Sequence, residues 1–144
     1  MSWGLGTYGF TAWGTCISGG PDTVAPTISA QSPANNSISI PTNASISLRL
    51  SDDLSGVDLG SVRITVQQGQ LSPQTVFQNG RYTGLFIGFV GANTSAGYDF
   101  IIRPLSPWIS SATVVVIVAC KDNMCNAVTF TWQFAITQTF GCVN

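Results

Sequence analysis

Histidine and glutamate are both missing from this chain of 144 residues. Without histidine the chain cannot build a Ser-His-Asp or Cys-His catalytic arrangement by itself. Of the two commonest zinc ligands, histidine and cysteine, it has only cysteine. General acid–base chemistry would fall to aspartate alone. An aspartate pair acting on a glycosidic bond is the remaining enzymatic alternative, but the aspartates lie in turn-like stretches where Asp is favoured for local hydrogen bonding. We therefore expect a protein that is not an enzyme.

Charge is also scarce. Five Lys or Arg and six Asp account for 8% of the residues and give a net charge of −1, whereas about 25% of a typical soluble domain is charged. The chain lacks the clustered basic face of a nucleic-acid-binding protein, so we expect no nucleic-acid partner. Few charges and a near-zero net charge favour association. They predict a subunit covered by neighbours; the alternative is an ordinary secreted β-domain rich in Ser and Thr.

Long apolar runs are missing as well. No run approaches the ~18 to 20 residues of a membrane span, so no membrane insertion is expected. The N-terminus has no basic region, and Gly4, Gly6 and Gly9 interrupt any apolar core of a secretory signal peptide. These features predict synthesis in the cytoplasm without export by a signal peptide.

The chain does contain apolar and polar residues that alternate on both sides of an acidic turn at residues 51–58. The alternating apolar residues are Ile46, Leu48 and Leu50 before the turn and Val62, Ile64 and Val66 after it. Period two with one apolar face is typical of half-buried strands. Two such strands joined by a Gly-containing loop predict an all-β sandwich with the acidic loop at one pole.

The first 21 residues have a different character, because they repeat an aromatic residue followed by glycine. The aromatic residues of this segment are Trp3, Tyr8, Phe10 and Trp13. Such a peptide cannot fold alone, since glycine adds backbone entropy and the aromatic side chains have no partner face within the segment. Large flat side chains on a pliable backbone suit docking into another subunit. The alternative is that the segment folds back onto its own sandwich.

Two motifs carry a resemblance to a known family. Residues 22–28, Asp-Thr-Val-Ala-Pro-Thr-Ile, and the loop Asp-x-x-Ser-Gly-Val-Asp at residues 52–58 resemble those of bacterial immunoglobulin-like and fibronectin-III-like modules. The resemblance covers residues 22–137 and implies an immunoglobulin-like β-sandwich of about seven strands. Residues 1–21 would then be an extended N-terminal arm and linker, and residues 138–144 a C-terminal tail.

Residues 67–96 match that family least well. Asn79-Gly80 is a hairpin signal, and we place the crossover between the two sheets in this segment. Residues 85–90 predict a strand in which Gly88 opens a bulge or a contact surface. Phe86 and Phe89 either fill the core or contact a ligand or neighbour, and core filling is the commoner fate of phenylalanine.

Two of the four cysteines flank a short turn. Cys120 and Cys125 could lie within the ~4.4 to 6.8 Å that a disulfide needs between α-carbons, so a bridge between them is predicted, with free thiols as the alternative. Cys16 and Cys142 supply no obvious second pair for a zinc site. They are expected to pair between subunits or to stay unpaired.

Four aspartates lie in loops that leave the same end of an immunoglobulin-like sandwich. They are Asp52, Asp53, Asp58 and Asp122. Clustered carboxylates near a linker could bind calcium, which takes oxygen ligands. The alternative, favoured because no glutamate is available for bidentate ligation, is that these residues only form turns. Calcium is the one cofactor that this sequence suggests.

The resemblance also implies a function. Modules of this kind decorate the capsids, tails, baseplates and fibres of tailed phages, so the chain resembles a non-enzymatic structural subunit of a virion. Its expected partners are other virion proteins, copies of itself and a host-surface glycan. The alternative is a carbohydrate- or cell-surface-binding adhesion module.

Overall fold

The computed structural model describes residues 22–138. This part of the chain forms ten strands and one 3-10 turn at Leu59–Ser61. The strands are β1 (Thr27–Ser32), β2 (Ser37–Ile40), β3 (Ile46–Ser51), β4 (Arg63–Gln68), β5 (Gln74–Gln78), β6 (Arg81–Tyr82), β7 (Phe86–Ala92), β8 (Tyr98–Pro104), β9 (Thr113–Lys121) and β10 (Ala127–Ile136). None of the described residues belongs to a helix with the length and apolar character needed to cross a bilayer.

The strands form a sandwich of two sheets. One sheet has the order β1-β3-β8-β7 and the other the order β2-β10-β9-β4-β5-β6. β2 runs parallel to β10, whereas β3 and β9 pair antiparallel with their neighbours. The predicted all-β immunoglobulin-like sandwich is confirmed. It has more strands than expected, because β2 and β6 are too short for alternation to signal them.

The chain crosses from the six-stranded sheet to the four-stranded sheet between β6 and β7, within residues 67–96 as predicted. The β5–β6 hairpin turns at Asn79 and Gly80, with φ angles of 54° and 81°. Two positive φ angles are what a type I′ hairpin turn requires. The hairpin predicted from Asn79-Gly80 is therefore confirmed.

The core lies between the two sheets. β3, β4 and β9 each bury every second side chain, and β9 occupies a central position in the six-stranded sheet. Near the middle, Phe77 meets Phe100 edge to face at a centroid distance of 5.2 Å. Trp108 closes the end of the core where β3 begins, and its Nε1 donates to Ala44 O at 2.8 Å.

The opposite end of the sandwich is the acidic pole, formed by Asp22 and by the loops at residues 51–58 and 121–126. β3 and β9 end there and β1 begins there. The two loops are tied together, because Asn123 N donates to Gly56 O at 2.9 Å. The acidic pole is therefore held by backbone contacts between strands of both sheets.

Candidate functional site

Three carboxylates converge at the acidic pole. Asp22 precedes β1, Asp52 follows β3 and Asp122 follows β9. One oxygen from each lies within 4.8 Å of the oxygens from the other two. Asp22 and Asp122 are buried, and Asp52 is half-buried. Since β1 and β3 belong to one sheet and β9 to the other, the cluster exists only when the two sheets are packed together.

The loops after β3 and β9 use their first aspartate in the same way. In both, one carboxylate oxygen accepts hydrogen bonds from the backbone N–H groups two and four residues further on. The donors are Leu54 and Gly56 for Asp52, at 3.1 and 2.9 Å, and Met124 and Asn126 for Asp122, at 2.8 and 2.9 Å. Aspartate is favoured in turns for this kind of local bonding, which explains how the sequence forms both loops.

Asp22 is bound to both loops. Its Oδ2 accepts hydrogen bonds from the N–H and the hydroxyl of Ser55, at 2.9 and 2.5 Å. Asn126 Nδ2 donates to the backbone oxygen of Asp22 and to Asp122 Oδ2, both at 2.8 Å. These contacts fix the position at which the chain enters β1.

One oxygen of the cluster has no partner. Asp52 Oδ1 is buried and accepts no hydrogen bond, and a buried acceptor left unsatisfied costs free energy. Within residues 22–138 the only ion pair joins Arg49 to Asp99, at 2.8 Å. No ion pair in this part of the chain therefore neutralises the three carboxylates.

The electrostatics of the pole follow from these contacts. The hydrogen bonds from Ser55, above all from its hydroxyl, hold the pKa of Asp22 well below its usual range. Loss of hydration and the charges of Asp22 and Asp52 raise the pKa of Asp53. Asp22 is thus kept ionised at neutral pH, and its negative charge is one of the causes of the raised pKa of Asp53.

The donor set fits a hard cation. Calcium binds carboxylate and carbonyl oxygens at about 2.3 to 2.6 Å, so two oxygens on one ion lie within roughly 5 Å of each other. The 4.8 Å spread of the three carboxylates meets that limit. The unpartnered Asp52 Oδ1 is available as a ligand, and loop carbonyls and waters would complete the six to eight ligands that calcium takes.

Only two of the four aspartates predicted from sequence as calcium ligands belong to the cluster. The structure brings Asp52 and Asp122 together, but Asp53 is exposed outside the cluster and Asp58 Oδ1 instead accepts from Gly60 N at the start of the 3-10 turn. The third carboxylate is Asp22, which the sequence reasoning missed as a ligand. Its signal was the Asp that opens the first-strand motif at residues 22–28.

A profile of the family described as bacterial Ig-like domain matches residues 22–136. The chain belongs to this family. The match covers nearly all of the described residues, including the three aspartates of the cluster. The predicted family resemblance is therefore confirmed for the immunoglobulin-like module.

Two solved structures are similar to this chain. CopC from Methylosinus trichosporium OB3b is 12% identical, with a TM-score of 0.52 over 78% of this chain and 94% of that one. PcoC, a methionine-rich copper resistance protein from Escherichia coli, is 18% identical, with a TM-score of 0.49 over 79% of this chain and all of that one. At 12% identity the likeness to CopC concerns the fold alone. No curated protein matches this Ig-like chain significantly.

The predicted bridge between Cys120 and Cys125 is wrong. Cys120 is a free thiol, whereas Cys125 is disulfide-bonded. The reason is that Cys120 occupies an inward position of β9 and is 4% exposed, while Cys125 lies in the turn beyond the strand with φ of 70°. Burial, together with the charges of Asp52 and Asp122, raises the pKa of the Cys120 thiol to about 11. Cys16 and Cys142 lie outside the described residues.

The Ig-like domain also has an exposed apolar surface, which we call the β7 face and define as Ile87, Phe89 and Ile101. Their side chains are 53%, 57% and 39% exposed. The two phenylalanines of β7 therefore have different fates, since Phe86 is buried and Phe89 is not. The other predicted contact residues, Trp3, Tyr8, Phe10 and Trp13, lie outside the described part of the chain.

Proposed function

We propose that this Ig-like chain is a non-enzymatic structural subunit of a tailed-phage virion, docked to neighbouring subunits through residues 1–21. The observation that carries the assembly role is the β7 face. The buried core of the domain does not include Ile87, Phe89 or Ile101. Contiguous exposed apolar residues on a soluble domain mark an interaction surface.

The composition supports the same role. Residues 1–21 contain four aromatic residues and no charge, and the whole chain has a net charge of −1. Low charge reduces the repulsion between copies and favours association. The particle itself, whether tail, baseplate, fibre or capsid decoration, rests on the resemblance between this module and those of phage structural proteins. Copies of the chain, other virion proteins and a host-surface glycan are its proposed partners.

We do not extend copper binding to this chain. PcoC is described as a copper resistance protein, but its 18% identity to this chain gives no reason to assign copper here. The sequence has no histidine and two methionines, whereas the clustered polar ligands of this domain are carboxylates. Hard oxygen ligands suit calcium and not copper.

We propose calcium as the ligand of Asp22, Asp52 and Asp122. The observation that favours it is the buried Asp52 Oδ1, which has no hydrogen-bond partner. An ion at this position would bind the first residue of the Ig-like domain to the loops after β3 and β9. Its role would be to hold the preceding linker in a fixed direction relative to the sandwich.

Deletion of residues 1–20 tests the assembly role. Analytical ultracentrifugation of the purified full chain should give a mass above that of the monomer, and the deleted chain should be a folded monomer. Mass spectrometry of phage particles should detect the full chain and not the deleted one. A full chain that is monomeric at all concentrations and binds glycans would instead favour the adhesion alternative.

A further inference from the structure

Among residues 22–138, β7 is an edge strand without the usual protection. Edge strands are normally short, bulged, charged or covered. The other three edges follow this rule: β1 has an irregular register between Ser29 and Ser32, β2 has four residues, and β6 has two residues including Arg81. β7 has seven residues, Phe-Ile-Gly-Phe-Val-Gly-Ala, with neither charge nor proline.

The open side of β7 offers backbone groups for pairing. Leu105 N donates to Leu85 O at 3.1 Å and Asn93 N donates to Gly97 O at 3.0 Å, at the two ends of the β7–β8 ladder. Antiparallel bonding alternates along a strand, so the odd-numbered residues of β7 face β8. The even-numbered Gly88, Val90 and Ala92 therefore turn their N–H and C=O groups toward the open edge.

The apolar surface runs directly beside this edge. Ile87 and Phe89 alternate along β7, and Ile101 stands opposite Phe89 on β8. The Phe89 ring lies over Gly91, where an added Cβ would come within 2.5 Å of the ring. With Gly88 and Arg103 these side chains line a groove of about 280 Å³. A strand added to β7 would lay its side chains against this groove.

The edge is held in place from the other sheet. Tyr82, on β6, directs its hydroxyl at the carbonyls of Phe89 and Ile101, at 2.6 and 3.0 Å. An alanine at position 88 would be excluded, since its Cβ would collide with the Ile101 carbonyl. The strand is therefore pre-organised, which reduces the entropy lost when a partner binds.

We propose that β7 accepts residues 3–10 of a neighbouring copy by β-strand addition. In an extended strand Trp3, Leu5 and Thr7 would share one face with Gly9, and Tyr8 and Phe10 would share the other with Gly4 and Gly6. Eight residues span roughly 26 Å, enough to pair along all of β7. Main-chain bonds to Gly88, Val90 and Ala92 would supply affinity, and side chains packed on the β7 face would supply specificity.

This inference rests on the proposed assembly role and names β7 as the strand that binds the N-terminal arm of a neighbouring copy. β1, which follows residues 1–21 in the chain, lies at the opposite edge of the four-stranded sheet from β7, so we assign the occupant to a second copy. A segment of one copy bound to the edge of the next is a head-to-tail contact. Repetition of such a contact gives a ring or a filament.

Photo-crosslinking of the full chain tests the acceptor. Phe10 is replaced by benzoylphenylalanine, and ¹⁴N- and ¹⁵N-labelled copies are mixed before irradiation. We expect crosslinks to residues 85–92, with half of them joining a light copy to a heavy copy. Crosslinks confined to single copies, or to other parts of the domain, would overturn the proposal.

A matched pair of variants gives a second readout. Phe89→Lys places a charge on the β7 face, and Ile38→Lys makes the same kind of change on β2, where Ile38 is 74% exposed. We expect Phe89→Lys to weaken assembly about 30-fold or more, as loss of a central apolar anchor does, and Ile38→Lys to leave it unchanged. If the wild type assembles and both variants assemble equally well, the β7 acceptor is wrong and the assembly role stands. A monomeric wild type would overturn both.

Discussion

Ser55 donates two hydrogen bonds to the same oxygen of Asp22, one from its backbone N–H at 2.9 Å and one from its hydroxyl at 2.5 Å. The two residues are 33 positions apart in sequence. Their contact joins the start of the domain to the loop after β3, beside Asp52 and Asp122. The acidic pole is therefore both the point where the chain enters the sandwich and the place where its carboxylates collect.

Calcium should raise the melting temperature of the full chain. At a free concentration 100 times the dissociation constant, a ligand that binds only the folded state stabilises it by about 2.7 kcal/mol. Asp52→Asn should abolish this response, because it changes the ligand whose Oδ1 has no other partner. Asp58→Asn is the matched control, since Asp58 lies outside the cluster and an amide oxygen can still accept from Gly60 N. Identical melting curves in chelator and in millimolar calcium would refute the site.

The stability of the domain should fall at alkaline pH because of Tyr82. Burial raises the pKa of Tyr82 to about 12, above the value of about 10 for an unfolded chain. Its contribution is therefore complete below about pH 10 and is lost as the pH rises through about 12. Tyr82→Phe should cost about 1 kcal/mol at neutral pH, from the lost hydroxyl contacts, and less in the alkaline range.

Urea unfolding of the wild type and Tyr82→Phe at several pH values between about 8 and 12 measures this difference. Absorbance of the tyrosinate ion reports the titration directly in the same samples. A difference between the two proteins that stays constant across the whole range would contradict the prediction.

The two described cysteines should react differently. In the native protein Cys120 should resist alkylation, because its thiol is buried and its pKa is about 11, and it should react once the chain is unfolded without reductant. Cys125 should react only after reduction. Trypsin cuts after Lys121 and separates the two, so mass spectrometry of the peptides decides the outcome. A native, non-reduced peptide map in which Cys120 is linked to Cys125 would restore the bridge that the structure excludes.

Replacement by alanine should lower the free energy of unfolding much more at Phe77 than at Phe89. Phe77 is fully buried and Phe89 is 57% exposed. Phe77→Ala should lower the free energy of unfolding by about 3 to 5 kcal/mol. Phe89→Ala should change it by about 0.5 kcal/mol or less in the monomer. Chemical denaturation at a concentration where the chain is monomeric measures both, and similar losses would mean that Phe89 belongs to the core.

Much of the fold could be predicted from the sequence. Alternation at residues 46–50 and 62–66 predicted β3 and β4, Asn79-Gly80 predicted a hairpin, and the motifs at residues 22–28 and 52–58 indicated the family. These signals are local, because the period of two and the turn residues depend on neighbours within a few positions. The expectation of an acidic loop at one pole followed from the same pattern.

Only the tertiary structure decided which aspartates meet and which apolar face stays open. Asp22 joins Asp52 and Asp122 because β1, β3 and β9 converge on one end of the sandwich, and no local pattern records that convergence. Alternation places Phe86 and Phe89 on opposite sides of a strand, but it does not say which side another sheet covers. That depends on the order of strands within each sheet, which is set by contacts between residues distant in the chain.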